Sequence, residues 1–473
     1  MRKCFKIRYI LKCNEYEYTK TKICTQHLHL FCMMQINKSE TRRLNMKKFE
    51  TSFLLGAATA AHQVEGNNTN SDCWAMEQME HTAYVEPSLN AVDHYNRYEE
   101  DIRLMAEAGL NVYRFSLEWA RIEPREGVFE EKEIKHYRSV IRCCKEYGIA
   151  PIVTLHHFSS PIWIITKGGW EAESVVEDFA KYVRYVMEHL GEELQYVCTI
   201  NEANIGLQIA GIAERYKKIM MSQMEASGDK DGNVQMGMNF PKMLEGQQAQ
   251  AEENKKVFGV EKVENFTSMR TRKGDLLIMK AHQAAKSVIK ELYPDMKVGL
   301  TLSLHDVQVV EIGGESFAEK EWEDEFLHYL PYIQEDDFLG VQNYTRSRFG
   351  KEGRMGNPAD AELTQMNYEF YPEALEHVIR KVAKEFHQDL IVTENGIAVA
   401  DDSQRIAFLE KALEGVQNCI ADGIPVKGYC YWSLLDNFEW QKGYSMTFGL
   451  IGVDRTTQKR MPKDSFYYLG NQR

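Results

Sequence analysis

The sequence predicts an α/β fold with a single (β/α)8 TIM barrel, and three observations lead to this prediction. Short apolar segments alternate with longer amphipathic segments from about residue 53 onward. Eight such apolar segments occur, which is the number of strands in a barrel of this type. Polar side chains stand at the carboxyl ends of most of them, where a barrel would gather them on one face.

The predicted strands are apolar on both faces, as is typical of parallel strands covered on both sides. They are 53–59, 111–116, 150–156, 195–200, 297–303, 338–342, 389–393 and 427–433. The predicted helices are 93–108, 131–147, 172–190, 274–292, 372–387 and 402–422. A doubly wound open sheet is the structural alternative, but it would place a ligand at one switch point rather than polar residues after most strands.

The predicted domain organisation is one barrel over residues 46–473 with an insertion at about 212–272. The insertion is polar and follows the fourth predicted strand, so it would lie over the barrel mouth as a substrate lid or a surface excursion. Residues 1–45 differ from the rest, because ten Lys or Arg stand against three Glu and no apolar run has the length of a secretory signal. We expect a disordered extension or a mis-assigned start, with Met46 as the first residue.

Composition argues against several classes of function. The net charge of −13 disfavours binding to nucleic acid, and no run of about 18 apolar residues is present to span a membrane. The ten cysteines show no metal-ligand spacing, so we expect reduced, buried thiols and a cytoplasmic location. The oligomeric state stays open.

Polar or aromatic side chains lie near or just after the ends of seven predicted strands. These are Gln63, Arg114, His156 and His157, Asn201 and Glu202, Asn343 and Tyr344, Glu394 and Asn395, and Trp432. A single strand-end glutamate is usually a solvated loop residue, but Glu202 and Glu394 each stand beside an asparagine on strands that a barrel brings face to face. Two carboxyl groups about 5–5.5 Å apart, one a proton donor and one a nucleophile, are what hydrolysis of a glycosidic bond with retention requires.

Ordered motifs over nearly all of 48–473 resemble those of glycoside hydrolase family 1. They are FLLGAATAAHQVEG (53–66), VDHYNRYEEDIRLMAEAGLNVYRFSLEWARIEP (92–124), TLHHF (154–158), KGGW (167–170), TINEAN (199–204), IVTENG (391–396), GYCYWSLLDNFEW (428–440) and FGLIGVDR (448–455). The resemblance implies a barrel enzyme of the β-glucosidase type.

By this resemblance Glu202 would be the acid/base and Glu394 the nucleophile. Arg114 and Tyr344 would keep the pKa of Glu394 low, whereas the pKa of Glu202 would be raised so that it can donate a proton. Asn201 would bond to the 2-hydroxyl of the sugar. The further residues that the resemblance assigns to substrate binding are Gln63, His157, Trp432, Glu439, Trp440 and Tyr368.

Three positions depart from the family pattern and bear on specificity. Ala203 stands where Pro is common, Phe158 stands where a Trp-Asp-Leu-Pro pattern usually begins, and Tyr368 stands where many members stack a Trp on the aglycone. Glu439 is retained, whereas members acting on 6-phosphosugars carry Ser there. Because a carboxylate repels a phosphate dianion, an unphosphorylated substrate is favoured.

The predicted function is therefore a retaining, exo-acting β-glycosidase that hydrolyses unphosphorylated β-glucosides, with β-galactosides and β-fucosides as further candidate substrates. Its partner would be a small-molecule β-glycoside or an oligosaccharide, and it needs no metal or organic cofactor because two carboxyl groups and a water suffice. The alternatives are a transglycosidase that uses the same intermediate and a 6-phospho-β-glycosidase. A catalytically idle binding protein on the same barrel would be expected to lack one of the carboxylates.

Overall fold

The chain folds into a closed barrel of eight parallel strands with helices around it, in a computed structural model that describes residues 48–222 and 247–473. The predicted extension at 1–45 and residues 223–246 of the predicted insertion lie outside the described residues. The predicted (β/α)8 barrel is confirmed, and the doubly wound open sheet is excluded by the closure of the sheet.

The eight barrel strands match the predicted ones to within two residues at each end. They are Leu54–Ala58 (β1), Val112–Ser116 (β2), Ala150–His156 (β3), Tyr196–Ile200 (β4), Lys297–Ser303 (β5), Phe338–Gln342 (β6), Asp389–Asn395 (β7) and Val426–Trp432 (β8). Each strand pairs in parallel with its sequence neighbours, and β8 pairs with β1 to close the barrel. The strand β7 is longer than predicted, because Glu394 and Asn395 still pair with Gln342 of β6 and Tyr431 of β8.

One outer helix follows each barrel strand. These helices are His94–Glu107 (α1), Glu131–Glu146 (α2), Val175–Leu190 (α3), Arg272–Leu292 (α4), Glu315–Glu325 (α5), Ala374–Val382 (α6), Asp402–Ala421 (α7) and Asp464–Gly470 (α8). They form because apolar residues recur every three or four positions. In α3, Phe179, Tyr182, Val183 and Val186 are all buried. The side chain of Thr271 caps α4 by accepting a hydrogen bond from the backbone of Gly274.

Further helices and two small sheets lie in the connections between the barrel strands and after the last of them. The additional helices are Ala61–Val64, Asp72–Glu77, Trp119–Ile122, Ile162–Thr166, Ile205–Ser222, Gln247–Phe258 and Leu330–Ile333. Two small sheets are built from Asp306–Val309, Arg346–Gly350 and Gly353–Met355, and from Ile451–Val453 and Arg460–Pro462. Part of the predicted insertion at 212–272 is thus helical, and its role as a lid or surface excursion stays a prediction.

The barrel interior below the site is filled by apolar side chains from the strands. Buried members of this cluster include Ala58, Val112, Ile152, Cys198 and Ile391, which come from five different strands. The cysteines in the described part of the chain are buried and free, in agreement with the prediction of reduced thiols. No helix within the two described ranges is both long and apolar enough to cross a bilayer.

Strands β1 and β2 pack so closely that only glycine fits at position 56. A Cβ atom on Gly56 would lie 1.8 Å from the backbone oxygen of Val112 on β2. Gly56→Ala should therefore push the two strands apart and destabilise the protein by about 2 kcal/mol or more. Thermal unfolding measures this as a lower Tm. The matched control is Gly356→Ala, since a Cβ there meets no atom within 4 Å, and an equal loss in both variants would contradict the packing argument.

Candidate active site

A buried guanidinium links the carboxyl ends of three barrel strands. Arg114, in β2, is fully buried. Its Nη1 donates to Glu394 Oε1 at 2.5 Å, and its Nη2 donates to Asn201 Oδ1 at 2.5 Å. Because Asn201 directly precedes Glu202, this one side chain fixes the ends of β4 and β7 relative to each other. The two predicted carboxylates are thereby brought to the same side of the barrel.

Both oxygens of Glu394 accept a hydrogen bond, since Tyr344 donates its hydroxyl to Oε2 at 2.6 Å and Arg114 donates to Oε1. Burial raises the pKa of Glu394 above its ordinary value, while the charge of Arg114 and the bonds from Tyr344 and Arg114 act to lower it. Arg114 and Tyr344 lower the pKa of Glu394 as predicted, but its net pKa still lies above the ordinary value. The desolvation of a fully enclosed carboxyl group outweighs them.

Glu202 has no comparable partners. Its backbone N–H donates to Thr301 Oγ1 at 2.9 Å, but its buried Oε2 finds no hydrogen-bond partner in the described part of the chain. Burial raises the pKa of Glu202 well above its ordinary value, and the negative charge of Glu394 raises it further, against the effect of Arg114. Because Glu394 has the cationic and phenolic partners, it ionises first, and Glu202 keeps the proton.

The loop that carries Glu202 is conformationally strained. Glu202 has φ of +41°, in the left-handed region that non-glycine residues rarely adopt. The following Ala203 is buried, and its backbone N–H donates to the oxygen of Thr301. This residue stands where the family commonly has Pro, and the loop is held here by bonds to β5.

Asn201 is oriented by more partners than the sequence indicated. Its Oδ1 also accepts from Gln342 Nε2 at 2.8 Å and from Thr301 Oγ1 at 3.2 Å. Its Nδ2 lies 3.1 Å from His157 Nε2, so His157 accepts there and carries its own proton on Nδ1. Gln342 and Thr301 were missed by sequence reasoning, although Gln342 is the last residue of a predicted strand.

His157 presents a free donor to the site. Burial lowers the pKa of His157 well below its ordinary value, and the charge of Arg114 lowers it further, so the ring is neutral. Its Nδ1 is buried and has no partner among the described residues. The ring stacks against Trp432, with centroids 5.7 Å apart, and against Trp440 at 6.3 Å. A polar donor and two aromatic faces therefore lie together on this side.

Gln63 and Glu439 form a polar pair on the same wall. Gln63 Nε2 donates to the backbone oxygen of Phe438 at 2.7 Å and to Glu439 Oε2 at 3.3 Å, which leaves Gln63 Oε1 buried without a partner in the described residues. Phe158 packs on Trp440 with ring centroids 5.2 Å apart. Phe158 thus supplies an apolar ring that cannot donate a hydrogen bond, at the position where the resemblance predicts a Trp.

Tyr368 and His156 are two further residues that the sequence analysis singled out. Tyr368 is buried, with its ring centroid 6.5 Å from that of Tyr344, so it lies beside the partner of Glu394. His156 Nε2 lies 2.9 Å from Ser160 Oγ, and its ring packs on Trp170. Burial lowers the pKa of His156 to about 3. His156 is a neutral packing residue behind the site.

A buried pair formed by His62 and Glu77 supports Trp440. The ring of His62 stacks on Trp440 with centroids 5.8 Å apart and an interplanar angle of 5°. His62 Nε2 lies 2.6 Å from Glu77 Oε1, and both side chains are fully enclosed. Burial acts to lower the pKa of His62, but Glu77 raises it above the ordinary value. Sequence reasoning missed this support, because Glu77 and Trp440 belong to segments far apart in the chain.

In the two described ranges, one group of side chains has ligand atoms close enough together to hold a metal ion. Ligand atoms of Glu80, His81 and Glu253 lie within 4.8 Å of one another, and the first two residues are exposed. His81 already bonds to Glu253 through its backbone N–H and its ring. The group shares no residue with the carboxylate pair.

Comparisons with known proteins find similar proteins over most of the chain. The family model described as glycosyl hydrolase family 1 matches residues 45–225 and 326–472. The 1,4-β-D-glucan glucohydrolase of Thermotoga neapolitana is 30% identical over 483 residues, covering 90% of this chain and 98% of that protein. The 6-phospho-β-galactosidase 1 of Streptococcus pneumoniae is 28% identical and covers 90% and 98%. The crystal structure of β-glycosidase BGL167 has a TM-score of 0.79 at 42% identity, covering 89% of this chain and 96% of that one.

The buried carboxyl group of Glu118 should make stability depend on pH. Burial raises its pKa from about 4.5 to about 7, so the folded state favours the protonated form. The resulting stabilisation is present below pH 4.5 and is lost as pH rises to 7. Glu118→Gln keeps an acceptor for the backbone of Ala120 without the ionisation. The free energy of unfolding of Glu118→Gln, relative to that of wild type, should therefore increase by up to about 3 kcal/mol as pH rises from 4.5 to 7.

Urea unfolding at several pH values between 4 and 8 measures this difference. Glu131→Gln, which changes an exposed carboxylate, is the matched control and should show no such trend. A stability difference between Glu118→Gln and wild type that does not vary with pH would contradict the argument.

Proposed function

Because the chain belongs to glycosyl hydrolase family 1 and is a glycosidase, we propose that it is a retaining, exo-acting β-glycosidase that hydrolyses unphosphorylated β-glucosides. One observation carries the proposal: Arg114 and Tyr344 both bond to Glu394, whereas Glu202 Oε2 has no partner in the described residues. The surroundings of the two carboxyl groups therefore differ. Those of Glu394 stabilise the anion, whereas those of Glu202 favour the protonated acid.

In the first step, the Glu394 carboxylate attacks the anomeric carbon and the bond to the leaving oxygen breaks. Glu202 gives its proton to that oxygen, so the leaving group departs as an alcohol and a covalent glycosyl-enzyme forms. The raised pKa of Glu202 supports this role, because the group must be protonated near neutral pH. The loss of the negative charge on Glu394 lowers the pKa of Glu202 for the next step.

In the second step, Glu202 accepts a proton from a water whose oxygen attacks the anomeric carbon. The bond to Glu394 breaks, and the free sugar leaves with its original configuration because two inversions have occurred. Arg114 and Tyr344 stabilise the departing carboxylate. The residues suffice for the whole cycle with water as the only co-reactant.

Binding of the sugar is assigned to the groups around the pair. Asn201 would donate to the 2-hydroxyl, and His157 Nδ1 would donate to a neighbouring hydroxyl. Both orientations are supported by the bonds that already hold these side chains. Gln63 and Glu439 would bind the hydroxyls farthest from the bond that is cleaved. Trp432 and Trp440 would contact the sugar ring, and Tyr368 would contact the leaving group.

An unphosphorylated substrate is favoured over a 6-phosphosugar by Glu439. Its carboxylate lies within bonding distance of Gln63 and adds to the negative charge felt by Glu202. A phosphate dianion placed here would be repelled. Because one relative is a 6-phospho-β-galactosidase, a 6-phosphosugar substrate is the alternative that the experiment below tests. A transglycosidase would use the same covalent intermediate and differ only in the acceptor that replaces water.

A panel of aryl β-glycosides, with one 6-phosphorylated member, tests the proposal on wild type, Glu394→Ala and Glu202→Ala. Glu394→Ala should lose about 10⁴-fold or more in turnover. Azide should then restore activity and give an α-glycosyl azide, because the small nucleophile enters from the side that the missing carboxylate vacates. With Glu202→Ala the glycosyl-enzyme still forms from an activated aryl glycoside, so azide should give the β-product.

Products identified by NMR decide between the outcomes. Near wild-type turnover by Glu394→Ala would refute the mechanism. Faster cleavage of the 6-phosphorylated member than of the plain glucoside would refute the substrate class. A product mixture dominated by transfer to added alcohols would favour the transglycosidase.

Removing the hydrogen bond from Tyr344 should shift the pH profile of kcat/KM. Activity falls as pH drops through the pKa of Glu394, because the nucleophile becomes protonated, and it falls as pH rises through the pKa of Glu202. Tyr344→Phe removes a bond to the ionised form of Glu394 and should move the acidic limb upward by about one pH unit. Tyr182→Phe, which loses a buried bond to the backbone of Leu155, should leave that limb in place. An unmoved acidic limb in Tyr344→Phe would contradict the role assigned to Tyr344.

A further inference from the structure

The ring of His62 contacts the two residues on either side of Glu439. It stacks on Trp440 with centroids 5.8 Å apart and an interplanar angle of 5°, and it meets the ring of Phe438 edge-on with centroids 6.2 Å apart. Both separations fall in the range of favourable aromatic pairs. Glu439 therefore lies in a segment whose two neighbouring rings both pack on one imidazole.

The backbone of this segment is strained at Trp440. Trp440 has φ of +46°, in the left-handed region that residues other than glycine rarely adopt. Such a conformation persists only where the surrounding contacts hold it. The buried indole ring also lies against His157, at an interplanar angle of 19°, and against Phe158, at 56°. Of these three contacts the one with His62 is the most nearly parallel, so it bears most directly on the plane of the indole.

Hydrogen bonds at both nitrogens fix the rotation of the His62 ring. Its Nε2 lies 2.6 Å from Glu77 Oε1, and its Nδ1 lies 3.0 Å from Asn68 Nδ2. Glu77 is held in turn, because Ser88 donates to its Oε2 from the backbone at 2.8 Å and from Oγ at 2.6 Å. The side chains of His62 and Glu77 are fully enclosed. The imidazole therefore cannot turn about its Cβ–Cγ bond without breaking a buried hydrogen bond, which is costly.

Gln63 joins the same segment through the backbone. It follows His62 directly, in the helix Ala61–Val64, and its Nε2 donates to the backbone oxygen of Phe438 and to Glu439 Oε2. The backbone N–H of Phe438 donates to the backbone oxygen of Gln63 at 3.3 Å. Gln63, Glu439 and Trp440 thus form one wall, and the position of that wall depends on His62.

The carboxyl pair is held by other contacts. Arg114 and Tyr344 bond to Glu394, and the backbone of Glu202 bonds to Thr301. These bonds involve neither His62 nor Glu77. A change at His62 should therefore alter the binding of the sugar and leave the chemical steps nearly intact.

We propose that His62 is a positioning residue for the outer hydroxyls of the sugar, because its ring holds the wall of Gln63, Glu439 and Trp440 in the place where it binds substrate. The inference rests on the proposed function and deepens it, since it names a residue that sets the affinity of the same site. Loss of the ring at position 62 raises KM and changes kcat little, as expected for binding that is equal in the ground state and the transition state.

Two double variants that differ only in the side chain at position 62 provide the test. Glu77→Gln/His62→Leu and Glu77→Gln/His62→Phe both replace the buried pair by neutral side chains, so neither leaves a buried charge unpaired. Leu is similar to His in size but has no flat face, whereas Phe restores a ring. Glu77→Gln alone is the parent of both. The matched control is His136→Leu, because His136 also stacks on an aromatic ring, that of Tyr95, with centroids 3.7 Å apart.

Kinetics are measured on an aryl β-glucoside and on its 4-deoxy analogue, which lacks the hydroxyl across the ring from the anomeric carbon. On the glucoside the Leu variant should show a KM about tenfold above its parent, from the loss of two aromatic contacts, with kcat within about threefold. On the 4-deoxy analogue KM should rise less than about threefold, because a hydroxyl that the wall binds is already missing. The Phe variant and the control should stay close to their parents on both substrates.

Three results would overturn the inference. If the Leu and Phe variants have the same KM, the ring is not what holds the wall. If the loss lies wholly in kcat and in the number of active sites labelled by an aryl 2-deoxy-2-fluoro-β-glucoside, the buried pair supports only the fold. If KM rises equally on both substrates, His62 acts on the whole site and not on the outer hydroxyls.

Failure of the proposed function is a separate result, because wild type would then cleave no β-glucoside. Circular dichroism checks that each variant is folded. If the Leu variant does not fold, His62→Gln in the wild-type background carries the same comparison, because its amide can still donate to Glu77 while the aromatic ring is absent.

Discussion

The bond between the Arg114 guanidinium and the Glu394 carboxylate is the interaction on which the rest of the site depends. Both groups are enclosed, and a buried charge without a partner destabilises a protein by several kcal/mol. Each group therefore requires the other. Since Arg114 also holds Asn201, the position of Glu202 is set by the same guanidinium. Strands far apart in sequence are thus fixed in one arrangement at their carboxyl ends.

The two carboxyl groups differ through their surroundings and not through their chemistry. Burial raises the pKa of both, so a buried location alone would give two protonated acids. Only Glu394 has a cation and a phenol to stabilise its anion, and that anion in turn makes ionisation of Glu202 harder. One ion pair therefore makes Glu394 the easier of the two carboxyl groups to ionise.

The remaining parts of the site are held in the same way, by contacts behind them. Gln342 and Thr301 fix the amide of Asn201, and that amide fixes the tautomer of His157. His62 supports the face of Trp440. Such support reduces the reorganisation needed when a substrate binds. It also holds the ring of His157 in one orientation, although its Nδ1 has no partner among the described residues.

The sequence by itself determined the barrel and the family. Strand and helix periodicity are local properties, and β3, β5 and β6 begin and end where the pattern predicts; the motifs around Glu202 and Glu394 also suffice to recognise the family. Only the tertiary structure showed that the pKa of Glu394 is raised, that Gln342 bonds to Asn201 and that His305 lines a cavity. These features arise from desolvation and from contacts between segments up to several hundred residues apart, such as Arg114 with Glu394. No local sequence pattern predicts such contacts, because they depend on how the closed barrel brings its strand ends together.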